Sequence, residues 1–503
     1  MKPRQPEVAL DFARCQLRQH SQELFRLKDE TECRTTFIRL PLFSTSRSGC
    51  YRIRSDFFAP LLGYCLTRWV GHMARGSMSN LTATEQRVPA QLATRLVHAG
   101  ERMAGTGTQN GPCAIPTSTP IFATTTFLHG GATGLDSAFE RAEQGGDEYV
   151  YSRYGNPTVV ALETAMADIE VGRGAVATAS GMAALYLAVL AAGTPVGSNE
   201  PQVRHILASQ DLYGSTHGLL RRFFQSNNVG LSLFDVDDLK GFKKALDEHE
   251  PDVVLIESLS NPLLKLADIE TIAELAHAAD ARLVVDATMT TPVLQQSLKL
   301  GADIVVHSAT KYLSGHADAM GGILVARTGF MLDTARSYCR SLGSCLSPFE
   351  AKLISRGIKT LELRVKQQSA NALAVAQWLE KHPAIARVFY PGLPSHPQHK
   401  FAALQWCRQF GGMLTFELAA SPSRTLREST FKVMDALKLI LPATSLGDIY
   451  SVMTYPSISS HRDVKPEVLL AQGVTDGTLR LSVGIEGVED IVADLEQALN
   501  SLV

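Results

Sequence analysis

The sequence predicts an α/β protein: a mostly parallel sheet covered by helices on both faces, followed by a smaller α+β domain. Between residues 150 and 330 seven short apolar runs recur, GAVATAS, VRHILAS, VGLSLFD, PDVVLIES, ARLVVDAT, ADIVVHSAT and GGILVAR. Segments between them, such as LETAMADIEVG and DIETIAELAHAAD, place apolar residues at helical spacing. Strands alternating with helices give a parallel sheet buried on both faces. From about residue 355 the pattern changes: a long helical stretch (LISRGIKTLELRVKQQSANALAVAQWLEKH), a Pro-rich loop (YPGLPSHPQH), and short strands GGMLTFEL and TLRLSVGIE before a last helix.

The 503 residues exceed one typical domain of ~150, so at least two domains are expected. With 45% hydrophobic and 19% charged residues, the chain has the apolar content of a soluble globular protein. Its 48 basic and 50 acidic side chains nearly cancel, which leaves no global field to gather nucleic acid or anionic lipid. The stretch from residue 1 to 85 differs: it lacks a sustained period, has a Ser/Arg-rich patch (STSRSGCYRIRS), and contains Cys15, Cys33, Cys50 and Cys65. It reads as an extension, poorly ordered, and Met73 or Met78 would serve as an alternative start. The leader lacks the apolar core of ~7 to 15 residues that a secretory signal needs. The eight cysteines include no CxxC pair, so neither a disulfide framework nor a metal site is expected, and a reducing cytoplasm fits best. The uncharged stretch from Gly174 to Asn199 is long enough to suggest a membrane span, but Gly, Ser, Thr and Pro divide it into a strand, a turn and an Ala-rich helix.

Three strands end in polar clusters, and in open α/β sheets ligands bind beyond the carboxyl ends of the strands. GAVATA runs into Ser180, Gly181 and Met182 and then a helix; such a turn presents main-chain N–H groups to an anion, although Ser180 would equally serve as an ordinary N-cap. LVVDATMTTP places Asp286 at a strand end, where it would either bind or cap a turn. IVVHSATKYLSGHADAMGG sets Ser308, Thr310 and Lys311 after another buried strand, before a glycine-containing loop. A solvated lysine is the ordinary reading, but a partly desolvated one becomes a usable amine nucleophile. An anion cradle, an acid and a lysine together are what pyridoxal phosphate requires. Two other motifs carry less. His396 and His399 in SHPQH have metal-like spacing but lie among prolines without a nearby carboxylate, so a surface turn is expected. GTGTQNG lacks the dinucleotide spacing and a preceding strand.

From TRLVHAGE through PTSTPIFATTTF, YSRYGNPT, ASGMAAL, DLYGSTHGLLRRFF, ESLSNPLL, VVDATMTTP, HSATKYLSGHADAMGG and SLGD to LRLSVGIE, the sequence resembles the Cys/Met-metabolism family of pyridoxal-phosphate enzymes. That family includes cystathionine γ-synthase and γ-lyase, methionine γ-lyase and the O-acetylhomoserine sulfhydrylases. The resemblance implies a fold type I, aminotransferase-like enzyme with a seven-stranded sheet in its large domain. It also implies an arm over 86–155 that contacts a neighbouring subunit, a cofactor domain over 156–355 and a C-terminal domain over 356–503.

By motif, the resemblance implies that Lys311 holds pyridoxal 5'-phosphate, that Asp286 pairs with the pyridine nitrogen, and that Tyr213 stacks on the ring as an acid/base group. Ser180, Gly181, Met182, Ser308 and Thr310 would form the phosphate site. Tyr151 and Arg153 would reach the cofactor of a neighbouring subunit in a homo-oligomer, a dimer of dimers. Asn261 would sit near the phenolic oxygen, although a turn residue before Pro262 is the simpler reading. Arg480, assisted by Ser445, would take the carboxylate of an amino-acid substrate.

The implied activity is γ-replacement or γ-elimination on a homoserine-derived sulfur amino acid, with neither nucleic acid nor membrane as a partner. Two positions depart from the family pattern. Ser215 stands where methionine γ-lyases carry cysteine, and Tyr450 where many γ-synthases and γ-lyases carry glutamate. Ser215 lowers the methionine γ-lyase alternative, and Tyr450 makes cystathionine a weaker fit and keeps an O-acetylhomoserine sulfhydrylase open; an aminotransferase or a non-catalytic cofactor-binding protein is the more distant alternative.

Overall fold

The computed structural model describes residues 91–101, 116–143, 148–198, 200–406, 409–462, 464 and 466–502. The expected 1–85 extension, the GTGTQNG segment and six of the cysteines lie outside the described residues. Ala90–Val503 forms one compact unit.

Each of the seven apolar runs forms a strand: β1 (Gly174–Thr178), β2 (His205–Ser209), β3 (Gly230–Phe234), β4 (Val253–Glu257), β5 (Arg282–Asp286), β6 (Ile304–Ser308) and β7 (Gly322–Ala326). They make one sheet in the order β1-β7-β6-β5-β4-β2-β3. Every pair from β6 to β3 is parallel, and β7 runs antiparallel between β6 and β1. Because β7 reverses twice, β1 and β6 point the same way, and Gly322 pairs with Thr178 on one side and Ser308 on the other. The register also aligns Glu257 with Asp286. Four strand ends thus open on one edge of the sheet.

Helices cover the sheet for the reason their sequences suggest. Helix α1 (Pro157–Glu170) begins where Asn156 accepts the Thr158 N–H at 3.0 Å, and turns Leu162, Met166 and Ile169 into the core. Helix α2 (Gly181–Ala192) is apolar on nearly every side because it lies between the sheet and the helix Gly329–Leu342. This accounts for the uncharged stretch after Arg173; among the described residues no helix is long and apolar enough to cross a membrane.

The second sheet has the order β10-β11-β12-β9-β8, with β8 at Ile385–Phe389, β9 at Met413–Leu418, β10 at Leu441–Pro442, β11 at Val452–Thr454 and β12 at Thr478–Ser482. β12 is central, antiparallel to both neighbours and buried throughout.

Two expectations need correction. The long helix read across 353–382 is two helices, Pro348–Ile358 and Leu361–Leu379, with Thr360 at φ −110° between them. The break follows from close packing at Gly357, where a Cβ would lie 2.1 Å from the Ser314 carbonyl oxygen. Buried Arg364 secures the junction by donating to the carbonyls of Tyr312 and Gly357, each at 2.8 Å. His396 is not on the surface but 7% exposed. Its Nδ1 accepts the Gln398 N–H at 3.2 Å, and burial lowers its pKa to about 4, so the ring is neutral.

Arg364 carries the first prediction, because it holds the main chain just after Lys311. Arg364→Met takes the donor from the Tyr312 carbonyl and one of the donors from the Gly357 carbonyl, and should cost about 3 kcal/mol. The check is the urea midpoint of the full chain, which should fall with little change in slope.

Candidate active site

The strand ends of β1 and β6 approach each other only because glycines line the gap. A Cβ on Gly322 would lie 2.1 Å from the Ser180 carbonyl oxygen, and one on Gly181 would lie 2.8 Å from the Ser308 Cβ. The turn at Ser180–Gly181 is therefore pressed against β6 and β7. Ser180 is an N-cap: its Oγ accepts the Ala183 N–H at 3.2 Å. By helix geometry the N–H groups of Gly181 and Met182 have no carbonyl within α2, and they face outward at the positive end of the helix dipole. The Ser308 side chain lies beside them. Thr310 flanks the site with its hydroxyl engaged by Gly321, whose N–H donates to it at 3.0 Å. Main-chain N–H groups, a hydroxyl and a helix N-terminus together make an anion cradle.

Asp286 ends β5, and its Oδ1 accepts the Thr288 N–H at 2.9 Å. Burial raises its carboxyl above the ordinary range although the Thr288 contacts oppose this. A cation against it would restore the ionised form, as a protonated pyridine nitrogen does. Lys311, half-buried after β6, has its amine pKa lowered by burial and then by Arg480, with Asp448 opposing. Tyr213 is 38% exposed at the start of helix α3 (Gly214–Leu219), and its N–H donates to Glu257 Oε1 at 2.6 Å. Glu257, at the end of β4, also takes the Asn261 N–H; burial, then the charge of Asp286, hold it well above the ordinary carboxylate range.

Lys311 and Arg480 meet at one residue. Lys311 Nζ donates to Ser445 Oγ at 2.9 Å, and Arg480 donates to the Ser445 carbonyl at 2.9 Å. Ser445 is held at φ +110°, outside the regions that side chains usually occupy. Arg480, 3% exposed on β12, also donates to Asn261 Oδ1 at 2.9 Å and to Thr454 Oγ1 at 3.3 Å, while its Nε is buried without a hydrogen-bond partner. Burial lowers its pKa to about 10, which leaves it charged at neutral pH. A buried, ionised guanidinium with an unused donor is a receptor for a carboxylate. Asn261, expected near the cofactor, has its side-chain oxygen on Arg480.

The other expected residues lie further out. Ser215 is exposed on α3 and lines a cavity of about 730 Å³ with Met182, Asn261 and His461. Tyr450 is 45% exposed beside the Ser445 loop. Tyr151 and Arg153 are surface residues whose described contacts run elsewhere: Arg153 donates to the Arg340 carbonyl at 2.7 Å and stacks over Tyr154. Two acids received no role from the sequence, Glu257 and Asp448. Glu257 had the same signal as Asp286, an acid closing an apolar run. Asp448 had none beyond its place in SLGD.

Anion cradle, strand-end acid, desolvated lysine and an exposed tyrosine at the strand ends of a seven-stranded sheet define a fold type I pyridoxal-phosphate enzyme. The residues present fit that cofactor: an anion site for its phosphate, an acid for its ring nitrogen, an amine for its aldehyde. The model of the Cys/Met metabolism PLP-dependent enzymes matches residues 93–500, and the chain belongs to that family. It is 37% identical over 414 residues to an O-succinylhomoserine sulfhydrylase of Pseudomonas aeruginosa, covering 82% of this chain and 96% of that protein. It is 38% identical to an L-methionine gamma-lyase of Fusobacterium nucleatum subsp. polymorphum, covering 82% and 98%. A crystal structure of cystathionine gamma synthase from Xanthomonas oryzae pv. oryzae in complex with cystathionine superposes with a TM-score of 0.73 at 34% identity, covering 82% and 99%.

The glycine gap predicts a cofactor defect. Gly322→Ala drives a methyl into the Ser180 carbonyl, so the cradle must open, and pyridoxal phosphate affinity should fall at least tenfold in a spectroscopic titration. Unchanged affinity in a folded variant would remove this turn from the cofactor site.

Proposed function

We propose that the protein catalyses γ-replacement or γ-elimination on a homoserine-derived sulfur amino acid, with Lys311 and Tyr213 as its acid/base groups. The observation that carries this reading is the meeting of Lys311 and Arg480 at Ser445, which sets a proton-moving amine beside a carboxylate receptor. Bound pyridoxal phosphate supplies an electron sink for the substrate's α-carbon. The chain's own residues do the rest. Arg480 takes the α-carboxylate bidentately and fixes the α-proton toward Lys311. Lys311, as a free amine beside the α-carbon, would remove that proton and move it. Asp286 keeps the ring nitrogen protonated. Tyr213 delivers a proton to the departing γ-substituent.

Ser215 and Tyr450 favour a second reading within this class. Tyr450 replaces an acid suited to receive a distal ammonium group, so an O-acylhomoserine with a free thiol as acceptor is an alternative to cystathionine. The deciding assay offers cystathionine, methionine and O-acylated homoserines, each with and without thiol. A homo-oligomer completes the site in this proposal, with Tyr151 and Arg153 serving a neighbouring subunit's cofactor; their exposure away from their own cradle supports it. A cytoplasmic location is proposed from cysteine usage.

Tyr213→Phe should depress product formation by ~10² to 10⁴, the usual cost of losing a general acid, and spare α-proton exchange into deuterated water, which Lys311 performs. Equal losses in both would remove Tyr213 from the leaving-group role. Mixing Arg153→Ala with Lys311→Ala chains should recover part of the activity through hybrids with one intact site. No recovery after demonstrated subunit exchange would rule out the shared arrangement.

A further inference from the structure

Glu257 is a buried acid to which the proposed reaction gives no task. It closes β4 in register with Asp286, the last residue of β5, and the next residue, Ser258, donates its N–H to the Asp286 carbonyl at 3.0 Å. The Glu257 carboxyl therefore leaves the sheet edge beside the acid assigned to the ring nitrogen. From there it reaches the loop after β2, where its Oε1 accepts the Tyr213 N–H at 2.6 Å. Tyr213 depends on its main chain for its place, because its side chain is 38% exposed and, among the described residues, its hydroxyl has no hydrogen-bond partner. That main chain is fixed around the tyrosine. The Tyr213 carbonyl accepts the Thr216 N–H at 2.8 Å, and the next residue, Gly214, lies so near Ser460 that a Cβ would sit 2.3 Å from its carbonyl oxygen. Of these contacts, the one from Glu257 ties the tyrosine to the sheet.

We infer that Glu257 is a positioning residue for Tyr213: its side-chain oxygen holds the main chain of the tyrosine against the end of β4 and so fixes where the phenol delivers its proton. The inference deepens the proposed function and rests on Tyr213 being the leaving-group acid.

The contact needs an acceptor rather than a charge. Burial, then the neighbouring Asp286, favour the protonated form of Glu257, and a carboxyl group keeps an accepting oxygen in either state. An amide offers the same oxygen at the same reach, whereas a thioether of similar length is only a weak acceptor. Glu257→Gln and Glu257→Met thus separate the hydrogen bond from the space that the side chain fills.

The test assays the full chain, loaded with pyridoxal phosphate, for product formation and for α-proton exchange into deuterated water. The same chains, freed of cofactor, are compared by amide hydrogen exchange over the peptide containing Tyr213. Glu257→Met should lower product formation about tenfold or more, the cost of a misplaced acid, while α-proton exchange, which Lys311 performs, changes less than about twofold. It should also speed exchange of the Tyr213 amide. In the Tyr213→Phe background the same substitution should change product formation by less than about twofold, because the hydroxyl that it misplaces is gone. Glu257→Gln should recover most of the loss, to within about threefold of the parent, since the accepting oxygen returns. Equal losses from Glu257→Met in both backgrounds overturn the inference, and so does a Glu257→Gln variant as damaged as Glu257→Met. If Glu257→Met does not fold, Glu257→Asp withdraws the acceptor by one methylene and should show the same pattern more weakly; unchanged product formation and unchanged Tyr213 exchange then overturn it. Failure of the underlying reading is separate: it shows in Tyr213→Phe alone, as a variant that keeps its product formation, and the Tyr213 amide exchange still decides the main-chain link.

Discussion

The two hydrogen bonds that converge on Ser445 join the two halves of the site. Lys311 follows β6 of the seven-stranded sheet, Arg480 lies on β12 of the five-stranded sheet, and both donate to one residue. A side-chain-bearing residue at φ +110° costs on the order of 1–3 kcal/mol, and such geometry persists only where the surroundings over-determine it. They do so here. Gly447, at φ +78°, lies so close to the Tyr312 main chain that a Cβ would sit 2.7 Å from its N atom, and the Gly447 N–H donates to Ser482 Oγ at 2.8 Å. The loop is thus set between β12 and the segment after Lys311, and the strained serine is its inevitable middle.

Charge around this point is organised by burial. Arg480 stays ionised because burial lowers its pKa only to about 10, and its partners are neutral oxygens from Asn261, Ser445 and Thr454, which leave its charge uncancelled and its Nε unpaired. Asp286 and Glu257 are adjacent acids on paired strands, and desolvation pushes both toward the neutral form. A cationic ring nitrogen would relieve Asp286. Glu257 meanwhile spends its acceptors on the main chain of Tyr213 and Asn261, so one acid side chain ties the Tyr213 turn to a residue that accepts from Arg480.

What the sequence made legible follows from how local each feature is. The strands of the large sheet were readable because each is a short, mainly apolar run, and the ends of β5 and β6 could be named because polar residues interrupt those runs abruptly. The cradle turn was readable as a type, but the glycine clearances that press it against β6 depend on residues more than a hundred positions apart. The split of the long helix at Lys359–Thr360 was hidden because both halves share a helical period and the break is imposed by Ser314 pressing on Gly357. β8 and β11 were missed: one is exposed over two of its first three residues and the other has only three residues. Nothing in SHPQH signals that His396 is buried. The Asn261–Arg480 contact, 219 positions apart in the chain, has no sequence signature at all.

The account stands on Lys311 as the amine that holds the cofactor. Borohydride reduction of the purified, cofactor-loaded full-length protein, followed by proteolysis and mass spectrometry, tests this most directly. The account predicts that the pyridoxyl group is recovered on the peptide containing Lys311, with a yield approaching one per chain. Recovery on any other lysine, with activity intact, would contradict it.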